Sequence, residues 1–264
     1  MARRVALVNN KGGVGKTTTT VRLAEALAKA GHRVLVVDMD PQGNASRRLG
    51  WAYDEDGQTP TISEALQQDR SGSVGRVIQP IGWDVEYASR IVLAPARLEL
   101  ENRMAEAGVV GAWRRLVKGL EGADDHVDYT LVDCPPSLFH LTQLVLAAAD
   151  VVVIVIEPEY DSVEAAIRVR DFIAERATEL ANPGLEVAGV IVNGMQNLAS
   201  HADQLTSIRA TFGGLVWDPV VRHRSLIVDA DGDEVPLSEI RGEKANEIRA
   251  SYELLAQTVV KRVR

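Results

Sequence analysis

The chain has 264 residues, 46% of them hydrophobic, and a formal net charge of −8. That length suits one large α/β domain with a full core, and the acidic balance excludes a protein that coats nucleic acid through its overall field. A lone cysteine, Cys134, excludes an intrachain disulfide or a cysteine metal cluster, no apolar run is long enough to span a bilayer, and Met1–Arg4 leave no room for a signal peptide, so the expected compartment is the cytoplasm.

Val5-Ala6-Leu7-Val8 predicts the first strand, and Lys11-Gly12-Gly13-Val14-Gly15-Lys16-Thr17-Thr18 follows it closely. Nucleotide phosphates need several backbone N–H groups converging on one spot, and glycines remove the Cβ atoms that would block the required dihedrals. Residues 18–30 place Val21, Ala24, Leu27 and Ala28 on one helical face, with Gly31 as the stop. The loop therefore opens a helix whose N-terminal dipole favours anions. Lys16 is placed to reach the β- and γ-phosphates, and the Thr17 hydroxyl to ligate Mg²⁺. Where a general P-loop begins with glycine this chain has Asn10, and Lys11 adds a second lysine at the entrance.

The second predicted strand, Val34–Val37, runs into Asp38-Met39-Asp40-Pro41-Gln42-Gly43-Asn44. Two carboxylates at the carboxyl end of a parallel strand face the phosphate-loop crevice, where they suit holding magnesium-bound water or orienting an attacking water. Turn formation beside Pro41 and Gly43 is the alternative. The polar stretch Tyr53–Gly75 holds one short helix, Ile62–Gln68, behind the caps Thr59 and Thr61. A long helix is expected over Ala96–Leu120. The third strand, Thr130–Val132, ends at Asp133, the position of a Walker B acid that holds magnesium directly or through water. Pro135 and Pro136 stiffen the loop behind it, and Cys134 reads as a small apolar filler.

Further along come helix Leu138–Ala149, strand Val151–Ile156, helix Ser162–Leu180, strand Val187–Val192 and helix Ser200–Thr211. The last helix, Ala245–Val263, carries Ile248, Tyr252, Leu255, Val259 and Val260 at helical spacing. Asp229–Glu234 lacks the sixth-position glycine of a calcium loop and reads as an acidic turn, and Lys261–Arg264 as a solvated basic tail. Strands buried on both faces, alternating with helices, predict one α/β domain over 1–264. Its sheet is doubly wound, mostly parallel and twisted, with ligand loops at the strands' carboxyl ends.

Lys-Gly-Gly-x-Gly-Lys-Thr at 11–17 resembles the deviant Walker A box of the ParA/MinD class of ATPases. The blocks Asp38–Asn44, Asp133-Cys134-Pro135-Pro136-Ser137 and Glu157-Pro158-Glu159-Tyr160 are similar, in order and spacing, to successive signatures of ParA/Soj-type DNA-partition ATPases. The resemblance runs from residue 3 to about 195. It implies ATP binding by Lys11, Gly12, Gly13, Val14, Gly15, Lys16, Thr17 and Thr18. It also implies an adenine contact from Asn193, for which plain strand termination is the alternative. Asp40 would position the hydrolytic water, Lys16 and Lys11 would stabilise transferring charge, and Thr17 and Asp133 would hold Mg²⁺, with Asp38 a further magnesium candidate from its strand-end position alone. In such proteins the early lysine crosses a dimer interface, so Lys11 implies a homodimer formed on ATP binding. The resemblance further implies non-specific DNA binding by that dimer, nucleoid association in the ATP state, and release by hydrolysis that a centromere-binding, ParB-like partner stimulates. After residue 195 the match weakens. Arg222 aligns with an arginine that contributes to DNA binding, with Arg224 beside it, and an ordinary solvated loop is the alternative.

Three other readings share the fold. A MinD-like membrane-associated ATPase would anchor through the C-terminal helix, whose end lacks a bulky aromatic face, so no membrane partner is expected. A nitrogenase-type iron protein needs two cluster cysteines per subunit, and the chain has one. Metabolic amidoligases stay open.

Overall fold

β-Branched side chains restrict χ1 and fit a pleated backbone, and all five valine- and isoleucine-rich runs are strands in the computed structural model, which describes residues 2–52, 59–223, 232 and 234–263. In chain order the strands are β1 (Arg3–Val8), β2 (Val34–Asp38), β3 (Gln79–Pro80), β4 (Ile91–Ala94), β5 (Tyr129–Asp133), β6 (Val151–Ile156) and β7 (Glu186–Val192). They form one sheet in the order β3-β4-β2-β5-β1-β6-β7, parallel except where β3 meets β4. β3 and β4 were not anticipated. β4 is four residues between Arg90 and Pro95, too short to show a period, and β3 is an edge pair containing a proline.

Alternation along each strand splits the core into two layers. Ala6, Val8, Leu35, Val37, Val152 and Ile154 face one side. There they meet α3 (Ile62–Gln68), α4 (Arg115–Leu120), α5 (His140–Ala148), α6 (Tyr160–Arg176) and α7 (Ala199–Phe212). Val5, Leu7, Val34, Val36 and Val153 face the other, against α1 (Lys16–Lys29), α2 (Asn44–Arg48) and α8 (Glu243–Arg262). The sheet is thus doubly wound. α8 buries Ala245, Ile248, Tyr252, Leu255 and Val259, so its apolar face is spent within the fold.

The expected helix over Ala96–Leu120 is broken. Two 3₁₀ stretches, Leu98–Gly108 and Ala112–Arg114, precede α4. Gly111 sits at φ +80°, and of the first stretch only Leu100 is buried, so too little apolar surface exists to hold a continuous helix against glycine's entropy. Thr61, not Thr59, caps α3: its hydroxyl accepts from the Ser63 N–H at 3.3 Å, while Glu64 accepts from the Thr61 N–H at 2.7 Å.

The register sets the site. Asp133 lies level with Leu7 of β1 and with Asp38 of β2, so the carboxyl ends of three adjacent strands converge around the turn that follows β1.

Candidate active site

The loop after β1 is anchored before its glycines begin. Asn9 is fully buried; its Nδ2 donates to the Val155 carbonyl at 2.7 Å and its Oδ1 accepts the Lys11 N–H at 3.1 Å. Gly13 and Gly15 adopt φ +80° and +83°, where a Cβ is strained. Gly12 does not. A Cβ on Gly15 would also lie 1.9 Å from Asn193 Nδ2. α1 begins at Lys16, two residues earlier than its apolar spacing suggests, so the first-turn N–H groups of Lys16, Thr17 and Thr18 belong to the loop.

The two lysines occupy different settings. The Lys16 ammonium is buried and donates to the Lys11 carbonyl at 3.0 Å; burial lowers its pKa, opposed by the Asp133 charge. The Lys11 ammonium pairs with Glu159 at 2.7 Å. That hydrogen bond raises the Lys11 pKa and lowers that of Glu159.

A cleft of about 610 Å³ opens beside the loop. Gly12, Gly13, Gly15, Lys16, Thr17 and Thr18 line it together with Asp40, Gln42, Asn44, Arg47 and Arg48. Lys11 is not part of the lining. Arg47 and Arg48 escaped the sequence reading, because two arginines in a short polar segment look like an ordinary solvated surface.

Asp133 is fully buried and accepts the Thr17 hydroxyl at 2.7 Å and the Thr20 hydroxyl at 3.2 Å. Asp38 sits beside it in a different setting. It is also fully buried, does not line the cleft, and accepts from the Ser46 N–H at 2.9 Å, the Ser46 hydroxyl at 2.8 Å and the Asp40 N–H at 3.1 Å. It braces the turn that carries Asp40. Asp40 does face the cleft and also accepts the Gln42 N–H at 3.0 Å, so it is a turn former and a site residue at once. Burial, reinforced by the Asp133 charge, raises the Asp38 pKa to about 7. Burial raises Asp133 to about 6 against the Thr17 hydrogen bond and the Lys16 charge. Cys134 is buried and its thiol pushed well up, which suits a filler and not a nucleophile.

Asn193 closes β7 with its N–H on the Ile156 carbonyl at 2.8 Å. The amide expected to read adenine donates to the Val14 carbonyl at 3.3 Å, against the loop. Arg222 pairs in a short bridge with Met195 beyond β7, and its Nη1 donates to Asn197 Oδ1 at 2.7 Å. It is outside the cleft. Arg224 and most of the acidic run Asp229–Glu234 lie outside the described residues.

Comparison with known proteins agrees with this arrangement. An AAA domain family model matches residues 2–187. The chain is 35% identical to the chromosome partitioning protein ParA of Myxococcus xanthus, over 84% of this chain and 75% of that one. It is 32% identical to the chromosome partitioning protein ParA of Caulobacter vibrioides, over 99% and 95%. Among solved structures, a putative plasmid partition protein from Borrelia burgdorferi bound to AMPPNP has the same fold, with a TM-score of 0.80 at 20% identity over 100% of both chains. Cobyrinic acid a,c-diamide synthase from Mycobacterium smegmatis with bound ADP and magnesium gives 0.78 at 26% identity over 99% and 95%. With a two-lysine phosphate loop, a buried aspartate closing β5 and relatives aligned along nearly its whole length, this chain belongs to the ParA/Soj family of partition ATPases.

Proposed function

We propose that the protein is an ATP-driven DNA-partition switch built on one ATPase domain over 1–264. Its ATP-bound homodimer holds DNA without sequence preference, and hydrolysis, stimulated by a centromere-binding partner, releases it to segregate a plasmid or chromosome. The observation that carries this reading is the contrast between the lysines. Lys16 lines the cleft, whereas Lys11 is outside that lining and pairs, partly exposed, with Glu159. A partly exposed cation outside its own cleft lining is available to act on a nucleotide held by a second copy, as an arginine finger does in other NTPases.

The residues fit ATP with Mg²⁺. The Thr17 hydroxyl donates its hydrogen bond to Asp133 and keeps its lone pairs for a cation; Asp40 adds a hard oxygen donor in the cleft, and the buried Asp133 acts on the cation through Thr17 or water. Bound Mg²⁺ would neutralise charge on the β- and γ-phosphates. Within the chain, loop N–H groups and Lys16 bind the phosphates, Asp40 orients the attacking water, and Asp38 with Ser46 holds Asp40 in place. Arg222, on the loop beyond β7, belongs to the DNA surface in this reading.

The test is a DNA-retardation titration of the wild type and Arg222→Ala with ATP, ADP and no nucleotide. Retardation is expected only with ATP and should weaken in the variant. Equal binding without nucleotide would overturn the switch. In the competing membrane reading α8 would bind anionic vesicles. Its buried apolar face argues against this, and among the described residues no helix is long and apolar enough to cross a membrane. A liposome sedimentation assay checks it.

A further inference from the structure

α2 ends in two arginines, and both line the cleft that the phosphate loop lines. Arg48 is fixed at both ends: its carbonyl accepts the Trp83 indole N–H at 3.0 Å, and its Nη1 donates to Thr18 Oγ1 at 2.8 Å. Arg47 is held loosely. Its side chain is 51% exposed, its Nη1 lies 3.9 Å from Glu234 and its Nη2 3.5 Å from Asn44 Oδ1. The same cleft carries Asp40, and Asp133 lies behind the loop. A polyphosphate entering between these carboxylates meets repulsion that Lys16 and the loop N–H groups offset in part, and a guanidinium on this side of the cleft adds to them. A guanidinium matches phosphate oxygens in a bidentate fork, and a weakly engaged one costs little to redirect.

We propose that Arg47 and Arg48 form a second set of phosphate-recognition residues acting in cis, distinct from both loop lysines. Arg47 exchanges Glu234 for the β- and γ-phosphates of the chain's own nucleotide. Arg48 is a positioning residue that holds Thr18, and through it the first turn of α1, in the phosphate-binding arrangement. The occupant is the protein's own nucleotide, because both side chains line the concavity shared with Lys16 and Thr17.

This inference rests on the ATP-binding reading, and the experiment separates the two. Full-length wild type, Arg47→Ala, Arg47→Glu, Arg47→Lys, Arg48→Ala, Thr18→Val, the Arg48→Ala/Thr18→Val pair and Lys16→Ala are titrated with fluorescent ATP, ADP and AMP. Loss of the Arg47 contact should weaken ATP binding roughly five- to tenfold. Arg47→Glu should lose more, Arg47→Lys should recover part, and AMP, which lacks the outer phosphates, should not respond. The ATP effect should shrink at higher salt. Arg48→Ala and Thr18→Val should be non-additive, with the loss seen in nucleotide affinity and not only in the melting temperature. Arg47→Glu binding ATP like the wild type would overturn the proposal. So would unchanged affinity with altered ATP-dependent dimerisation, which would assign Arg47 to the second copy. Failure of the wild type itself to bind ATP above the Lys16→Ala level would instead remove the underlying reading.

Discussion

Lys11 and Lys16 are five residues apart, yet one is exposed on a glutamate and the other buried under a carbonyl. The proposed function gives them separate roles on the basis of that difference. Lys16→Ala should lose nucleotide binding. Lys11→Ala should still bind ATP but hydrolyse it slower by about 10³-fold or more, the scale of a transferred-charge cation; single-turnover ATP hydrolysis and a separate nucleotide titration resolve the two. Asp40→Ala should also bind and fail to hydrolyse, so it accumulates the DNA-bound form. The lysines were legible in the sequence because glycine dihedrals and loop spacing are local. The partner of Lys11 was not, since Glu159 is 148 positions away. Asn193 shows the same limit. Its place at a strand end could be read, but that its amide would meet the Val14 carbonyl depends on how β7 sits against the loop.

Pairing of β2 with β5 sets Asp38 beside Asp133, and this pair carries a pH signature. Unfolded aspartates titrate near 3.9, whereas here burial raises Asp38 to about 7 and Asp133 to about 6. Between those limits the folded state binds more protons than the unfolded state, so stability conferred by the pair is present below pH ~4 and lost as pH rises toward 7. Thermal melts of the nucleotide-free protein should show this decline, and Asp38→Asn should flatten it. Ser46→Ala removes the hydroxyl that donates to Asp38 and accepts from the Ala96 N–H. It should cost about 1–3 kcal/mol in a denaturant titration by leaving buried polar groups unpaired. It should also slow hydrolysis through the Asp40 turn. Strands on both sides of this pair were legible from β-branched runs. β4 and the broken 96–120 segment were not, because four residues carry no period and a helical pattern interrupted by Gly111 needs tertiary support to declare itself.

For the whole molecule, a net charge of −8 means that the proposed DNA binding has to come from a local patch on an unfavourable background. If the dimer neutralises ~4 phosphates, the logarithmic salt slope is about −3.6. Raising salt from 50 to 200 mM should then weaken ATP-dependent DNA binding roughly 150-fold, and Arg222→Ala should make the slope shallower; fluorescence anisotropy across a salt series measures both. The sequence by itself determined the nucleotide chemistry and the doubly wound class, because glycine dihedrals, β-branched runs and strand-end acids act within a few residues. Only the tertiary structure decided which acid faces the cleft. Asp38 and Asp40 are two residues apart at the end of one strand, and the choice between bracing and facing the cleft was made by Ser46, which returns in α2 to satisfy Asp38 and leaves Asp40 open. That same turn of α2 carries Arg47 and Arg48 to the cleft, a proximity that comes from packing over the sheet and not from any local pattern.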